Sequence, residues 1–252
     1  MNGLIGKRVL VTGGSRNLGG VIAERLARGG LSVAVNYHTS ASAAQELVTR
    51  LEAESGRPHI AVGADMTRQS EVTDALAAAT DGLGGTIDIL VNNAGPFGMT
   101  PFVEMSETEW DTVWDANVKA VYLAVREVVP GMRAAGWGRV INISAVSAYV
   151  RNRSIYGLAK SAIVTLTEQL ALELAPEVTV NAVAPGQILE SLDDLGEFST
   201  EWAEKVTART PAGRLVTRAE VAELVYLLCT PAFDMITGVT IPVDGGLRLP
   251  RF

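Results

Sequence analysis

Short apolar runs alternate along the chain with longer segments in which apolar residues return every three or four positions. Seven of the short runs are predicted as strands: RVLVT (8–12), LSVAVNY (31–37), HIAVGA (59–64), DILVN (88–92), RVINIS (139–144), VTVNAVA (178–184) and VTIPV (239–243). Most of them lack strict alternation, which is typical of strands that are covered on both faces of a sheet.

Helical patterns separate these runs. Helices are predicted from about 17 to 28, through the forties to 54, through the seventies, along 107–134 with an interruption at Pro130, over 155–175 and over 218–229. Strands that are separated by helices of this length indicate βαβ units and a parallel sheet. We therefore expect one α/β domain over residues 1–252, doubly wound in the Rossmann manner, with about seven parallel strands and an irregular or helical segment at 187–215.

The composition excludes several classes of protein. The 252 residues are 48% hydrophobic and 19% charged, which is typical of a globular protein. The net charge of −7 argues against nucleic acid or an anionic membrane as the main partner. No apolar run is long enough to span a membrane and no signal-peptide pattern is present, so we expect a cytoplasmic protein. The single cysteine, Cys229, excludes an internal disulfide and a multi-cysteine metal site, and we expect no metal.

A glycine-rich stretch, TGGSRNLGG (12–20), follows the first predicted strand and opens the first predicted helix. Glycine lets the backbone approach a pyrophosphate closely, and a helix N-terminus offers free N–H groups and a positive dipole end. Such a turn alone is equally compatible with an ordinary connection between a strand and a helix. Its position after the first strand favours nucleotide binding.

Tyr156 and Lys160 lie four residues apart, and this spacing places them on one face of a helix. A free phenol titrates near ~10, and a nearby cation lowers that pKa toward the pH at which general acid–base catalysis is efficient. A tyrosine and a lysine at this spacing are also common as an exposed pair. The pair alone is therefore only a candidate for catalysis.

An ordered series of motifs resembles the short-chain dehydrogenase/reductase family over residues 7 to 248. The series comprises Thr12-Gly13 with Asn17 and Gly19, Asn92-Asn93-Ala94-Gly95, Asn117, Tyr156 with Lys160, Pro185-Gly186 and Val243-Asp244-Gly245-Gly246. The resemblance implies transfer of a hydride from a nicotinamide to a carbonyl carbon, with Tyr156 donating a proton to the alkoxide. It also implies that Lys160 assists Tyr156 and holds the nicotinamide ribose. Asn117 would complete a proton relay through its backbone carbonyl and a water.

The same resemblance implies a set of cofactor-binding residues. They are Gly13, Ser15, Arg16, Asn17, Leu18 and Gly19 in the loop, Tyr37, His38, Thr39 and Ser40 after the second strand, Asp65 and Met66 after the third, Asn92, Ala94 and Gly95 after the fourth, and Tyr156, Lys160, Pro185, Gly186 and Ile188 at the nicotinamide. Asn17 departs from the family, in which glycine or alanine is usual. Asparagine tolerates unusual backbone angles better than other non-glycine residues.

The end of the second strand indicates which nicotinamide is bound. An NAD site usually has an acid there, about 20 residues beyond the glycines, for the ribose 2′-OH. Tyr37 holds that position, and no acid occurs between Glu24 and Glu46. Arg16 and the polar residues 38–40 are suited to a 2′-phosphate, so we expect NADP(H).

The group that polarises the substrate carbonyl is left open by the sequence. Family members usually have two small residues after the fifth strand, the second of which is a serine; here Ser144 fills the first place and Ala145 the second. Either Ser144 takes the role because the connection to Tyr156 is short, or Ser147 reaches in from the loop, or no serine serves. We take Ser144 as the candidate, together with Tyr156, Lys160 and Asn117.

Three functions are compatible with these motifs. The first is NADPH-dependent reduction of a ketone, in a small-molecule or thioester-bound carbonyl substrate of the 3-oxoacyl or polyketide kind. The second is a pteridine-reductase-like or enoyl-reductase-like enzyme, and the third is a catalytically impaired NADPH-binding regulatory protein. Phe97, Ala145 and Ser147 are the candidate substrate-pocket residues. Because family members commonly pair through helices like those at 107–134 and 155–175, we expect a homotetramer or homodimer.

Overall fold

A sheet of seven parallel strands forms the centre of the chain. In the computed structural model, which describes residues 3–150, 152–192 and 199–249, the strands are β1 (Arg8–Val11), β2 (Ser32–Tyr37), β3 (Ile60–Gly63), β4 (Ile89–Asn92), β5 (Gly138–Ile143), β6 (Val178–Pro185) and β7 (Thr240–Val243). Their order across the sheet is β3-β2-β1-β4-β5-β6-β7. The order reverses between β1 and β4, and ligands of open α/β sheets bind at the carboxyl ends of strands at such a reversal.

Helices cover both faces of the sheet. They are α1 (Asn17–Arg28), α2 (Ala41–Ser55), α3 (Gln69–Gly82), α4 (Glu107–Trp114), α5 (Ala120–Ala134), α6 (Ile155–Leu174), α7 (Ser199–Arg209) and α8 (Arg218–Cys229). Side chains of α1, α2 and α8 pack in one core, and those of α3, α5 and α6 pack in the other. In β1, Val9 and Val11 enter the first core and Leu10 enters the second, because successive strand residues point to opposite faces. The predicted doubly wound α/β fold is confirmed.

The expected interruption at Pro130 is wrong. Helix α5 continues through Pro130, and the break lies earlier, at a π-helical turn over Asp115–Lys119 between α4 and α5. Because proline has no N–H, Pro130 cannot donate a hydrogen bond to the carbonyl oxygen of Arg126, one turn earlier. Both residues are exposed, so water can donate to that carbonyl instead. The opposite face of α5 is buried and holds the helix together. Within the described residues, no helix combines the length and the apolar character needed to cross a bilayer.

Candidate active site

The glycine loop and the turn after β4 are held together by hydrogen bonds. The Asn93 side chain donates to the carbonyl oxygens of Thr12 and Gly13, both at 3.1 Å. The Thr12 hydroxyl accepts from the backbone N–H groups of Asn93 (3.0 Å) and Ala94 (3.1 Å). A side chain at Gly19 would collide with the carbonyl oxygen of Gly13. Close packing of the backbone therefore explains why the loop has glycine at positions 13 and 19.

Asn17 has the left-handed backbone that its position required. Its φ is 51°, and Gly13 at the start of the loop has a φ of 58°. Asparagine is one of the few non-glycine residues that adopt this region readily. Arg16 before it is extended and exposed, and α1 then begins, so the N-terminus of α1 follows directly on the loop.

Asn36 is a site residue that sequence reasoning missed. Its side-chain oxygen accepts from the N–H of Gly13 (3.1 Å), and its amide donates to the carbonyl oxygens of Val62 (3.3 Å) and Ala64 (3.2 Å). The side chain is 2% exposed, and it joins the glycine loop to β3. The available signal was a single amide in the otherwise apolar run SVAVNY, because a buried amide needs partners.

The end of β2 presents the residues that were expected at the ribose. His38 and Thr39 are exposed and Ser40 is partly exposed, whereas Tyr37 packs its hydroxyl end on Gly63 of β3. In the part of the chain that the structure describes, Arg16 makes no ion pair. These groups are open to a ligand, and the Asp65 carboxylate lies near enough to His38 to interact with its charge.

Asp65 is held by its own loop after β3. Its carboxylate accepts from the backbone N–H (2.9 Å) and the hydroxyl (2.7 Å) of Thr67. Burial acts to raise the pKa of Asp65, but the bonds from Thr67 and the charges of His38 and Arg68 outweigh it and lower the pKa. Met66 beside it is buried in the core, so its side chain faces away from the predicted adenine site.

Tyr156 and Lys160 lie in the first two turns of α6. The helix begins after Ser154, whose hydroxyl accepts from the N–H of Gly157 at 3.0 Å. Lys160 is 4% exposed, its Nζ donates to the carbonyl oxygen of Ile143 at 2.8 Å, and it lies 5.3 Å from the centre of the Tyr156 ring. The structure thus places both groups on one helix face at the carboxyl end of β5.

Burial raises the pKa of Tyr156 to about 12 and lowers the pKa of Lys160 to about 8. The fall in the pKa of the phenol that was expected from Lys160 is not seen in this chain by itself, and the assisting role of Lys160 stays a prediction. Removal from water is the cause of the raised pKa, and the ammonium of Lys160 is directed at the Ile143 carbonyl. At neutral pH the Tyr156 phenol is protonated and can donate a proton.

Asn117 occupies the π-helical turn, a feature that is frequent at functional sites. It is 1% exposed, and its amide donates to the carbonyl oxygens of Pro96 (3.0 Å) and Val113 (2.9 Å). Gly95 has a φ of 148°, and a side chain there would collide with the Asn117 amide. Asn117 therefore fixes the turn after β4, and the relay through its backbone carbonyl stays a prediction.

The side chain of Asn92 is directed into the sheet. It donates to Asn142 on β5 at 2.9 Å, and Asn142 in turn donates to the Thr167 hydroxyl on α6 at 3.0 Å. The Asn92 amide is therefore used within the sheet, and the predicted place of Asn92 beside a cofactor stays a prediction. The amide connects β4, β5 and α6.

The turn after β6 is locked by the C-terminal motif. Gly186 donates its N–H to the carbonyl oxygen of Val243 at 2.9 Å, and a side chain there would lie 2.9 Å from the Cα of Asp244. Ile188 pairs with Val216, and the Glu190 carboxylate accepts from the N–H of Arg218 at the start of α8. The predicted Pro185, Gly186 and Ile188 thus lie at the carboxyl end of β6, at the same edge as the glycine loop.

Comparisons with known proteins agree with this geometry. Residues 13–248 match a family model described as enoyl-(acyl carrier protein) reductase. The chain is 36% identical to the 3-oxoacyl-[acyl-carrier-protein] reductase FabG of Staphylococcus aureus, with 96% of this chain and 98% of that protein covered. It is 34% identical to a tropinone reductase homolog of Arabidopsis thaliana, over 99% of this chain and 95% of that protein.

The chain belongs to the short-chain dehydrogenase/reductase family. Solved structures of the family superpose closely. A mutant of the actinorhodin polyketide ketoreductase with NADPH is 30% identical, with a TM-score of 0.88 and 99% of both chains covered. A mutant of a Serratia marcescens short-chain dehydrogenase/reductase is 33% identical, with a TM-score of 0.88 over 97% of this chain and 99% of that one. As a member of this family, the protein is an oxidoreductase that acts on a CH–OH or C=O group.

Ser144, the candidate for the family's carbonyl-polarising serine, has a hydrogen-bond partner within the protein. Ser144 is 1% exposed, and its hydroxyl donates to the backbone carbonyl of Lys160 at 2.9 Å, so it is turned toward α6. Ser147 lies along a cavity of about 600 Å³ whose lining includes Leu158 and Ser161 but neither Tyr156 nor Lys160. The Ser147 hydroxyl is buried without a hydrogen-bond partner in the described part of the chain, and which of the three alternatives holds stays a prediction.

Ala145 and Phe97, the other candidate substrate-pocket residues, are both at least partly exposed. Ala145 is partly exposed and extended, with φ −160° and ψ 160°, so its side chain points to the side opposite that of the inward Ser144. The Phe97 ring meets Tyr156 edge to face, with ring centroids 4.9 Å apart and an interplanar angle of 66°. Phe97 is 62% exposed, so a large part of its ring is free beside the candidate proton donor.

Proposed function

We propose that the protein reduces a ketone to an alcohol with NADPH, and that Tyr156 is the proton donor. The observation that carries this proposal is the Tyr156–Lys160 pair, with a protonated phenol in contact with the Phe97 ring and an ammonium fixed by the Ile143 carbonyl. The proposal also follows the family membership of the chain.

The residues present fit a nicotinamide dinucleotide. Gly13 and Asn17 have left-handed backbones, Gly19 leaves no room for a side chain, and α1 begins directly after the loop. A helix N-terminus that follows directly on such a tight loop suits a pyrophosphate. When bound, the nicotinamide supplies the hydride.

A preference for NADPH is supported by the end of β2. Arg16, His38 and Thr39 are exposed there, and Tyr37 replaces the acid that would bind a ribose 2′-OH. Arginine suits a phosphate because its planar group donates several hydrogen bonds. Arg16→Glu should therefore raise the KM for NADPH much more than the KM for NADH.

The reduction needs one proton transfer from the protein. As the carbonyl carbon gains a C–H bond, the electron pair of the C=O bond moves to oxygen, and the Tyr156 hydroxyl donates its proton to that oxygen. The Lys160 ammonium stabilises the phenolate that remains, and Asn117 holds the turn that carries Phe97. A proton from solvent then restores the phenol.

The decisive experiment measures the oxidation of NADPH and NADH against a panel of carbonyl compounds. The names of the relatives suggest 3-oxoacyl thioesters and polyketide-like ketones as the first substrates. Tyr156→Phe should abolish turnover and retain NADPH binding, as seen by thermal shift, whereas the matched change Tyr149→Phe at an exposed loop position should retain turnover. Binding of NADPH without turnover on any carbonyl would contradict the proposal and support a regulatory protein.

The assembly state is a separate part of the proposal. Tyr122 on α5 and Leu158 and Leu172 on α6 are 50%, 45% and 79% exposed, and exposed apolar side chains on these helices would suit a symmetric interface. A homotetramer or homodimer is expected in solution. A monomeric mass by light scattering would contradict it.

A further inference from the structure

The site offers few hydrogen-bond donors to a substrate oxygen. Ser144 is committed to the Lys160 carbonyl, and both donor directions of the Asn117 amide are committed to Pro96 and Val113. Ala145 has no donor on its side chain. Among the described residues, the Ser147 hydroxyl has no hydrogen-bond partner, but it lies along the cavity whose lining does not include Tyr156. Next to Phe97, the hydroxyl of Tyr156 is therefore the side-chain donor that a carbonyl oxygen can meet.

A site with one donor favours a carbonyl that is already electrophilic. Removing one donor from a site that stabilises a developing oxyanion usually slows the reaction by about 100- to 1000-fold. A second carbonyl group bonded directly to the first withdraws electrons from it. The alkoxide that forms is then more stable, and it depends less on hydrogen bonds from the protein.

Phe97 adds a requirement on shape. Its position is fixed from below, because the Pro96 carbonyl accepts from Asn117 and a side chain at Gly98 would lie 3.0 Å from Val113. The Phe97 ring makes an edge-to-face contact with Tyr156, and Phe97 remains 62% exposed. A flat, unsaturated group next to the reacting carbonyl can stack on the free part of the ring.

From these two features we infer that the substrate is a planar 1,2-dicarbonyl compound with an aryl group or an unsaturated ring beside the reacting carbonyl. This inference rests on the proposed function and names its substrate class. The hydride forms a C–H bond at one carbonyl carbon, the C=O electron pair moves to oxygen, and Tyr156 supplies the proton. NADPH is oxidised to NADP⁺, and the diketone is reduced to a hydroxyketone.

The first test compares two substrates that differ by one carbonyl group. With NADPH, kcat/KM for 1-phenyl-1,2-propanedione should exceed that for propiophenone by at least about 100-fold, in line with the missing donor. Equal values would overturn the inference. Failure of the proposed function looks different, because then neither substrate would consume NADPH, or Tyr156→Phe would leave the rate unchanged.

The second test restores the donor and removes the ring. Ala145→Ser should raise kcat on propiophenone at least about 10-fold more than kcat on the diketone, because only the simple ketone needs the added donor. Phe97→Leu should raise the KM for 1-phenyl-1,2-propanedione about 3- to 10-fold more than the KM for 2,3-butanedione, which has no ring. An equal response of both substrates to either variant, in protein that still binds NADPH, would overturn the inference.

Discussion

Replacing Asn36 with aspartate should destabilise the protein in a pH-dependent way. Aspartate has the same shape and keeps the oxygen that accepts from Gly13, but it places a second oxygen against the carbonyl oxygens of Val62 and Ala64. The position is 2% exposed, so water cannot compensate. The variant therefore tests whether Asn36 holds the glycine loop to β3.

The expected magnitude follows from these bonds. Two lost hydrogen bonds cost about 2 kcal/mol together, and a buried carboxylate without a counter-charge raises the total to about 3–5 kcal/mol. The folded-state pKa of the new carboxyl should lie above the ordinary ~3.9, because burial and the two carbonyls disfavour its charge. The free energy of unfolding then falls as the pH rises from about 3.9 through the folded-state pKa, and it is partly regained at lower pH. Asn36→Ala should show a deficit without this pH dependence.

The assay is urea unfolding at pH 5 and pH 8 at one protein concentration, with NADPH binding followed by fluorescence. Gln45→Glu makes the same exchange of amide for carboxylate on the exposed face of α2, and it should stay within about 0.5 kcal/mol of the parent. If Asn36→Asp matched the parent at pH 8, or lost the same free energy at both pH values, the role given to Asn36 would be refuted.

Three further predictions concern buried or strained positions. Lys160→Met should abolish turnover yet raise the free energy of unfolding by about 2 kcal/mol at pH 7. The fall in the lysine pKa from 10.5 to about 8 means that burying the charged lysine costs about 3 kcal/mol, which the variant regains. The loss of the hydrogen bond to Ile143 offsets about 1 kcal/mol of that gain. This gain should close as the pH rises from 8 toward 10.5; a lower melting temperature at pH 7 would contradict it. Burial lowers the pKa of His59 below 6.5 in the folded protein, so on acidification His59 is protonated in the unfolded chain before it is protonated in the folded one. The free energy of unfolding should therefore fall as the pH drops below about 6.5. His59→Gln should flatten that dependence in a melting-temperature series, and an unchanged slope would exclude His59 as its source. Asn17→Gly should leave the Kd for NADPH nearly unchanged and Asn17→Val should raise it, since φ is 51° there; equal affinity of both variants would show that the backbone angle does not matter.

The secondary structure and topology class were readable from the sequence. The runs at 31–37 and 178–184 became β2 and β6 with shifts of at most one residue at either end, and the helix predicted at 218–229 is α8 with the same bounds. These elements follow from local patterns, since the spacing of apolar residues reports which side of an element is buried. The left-handed backbone at Asn17 agrees with the expected tolerance of asparagine for unusual backbone angles.

The direction of individual side chains was decided only by the tertiary structure. Ser144 and Ala145 are neighbours in sequence, and which of them faces the pocket depends on the pleat at the end of β5 and on the position of α6. Asn36 gained its role from partners 23 to 28 residues away. The pKa of Tyr156 is set by how much water the surrounding chain removes, rather than by the lysine four residues on. These hydrogen bonds and this desolvation depend on contacts between segments that are distant in sequence. The spacing of residues within one segment does not predict such contacts.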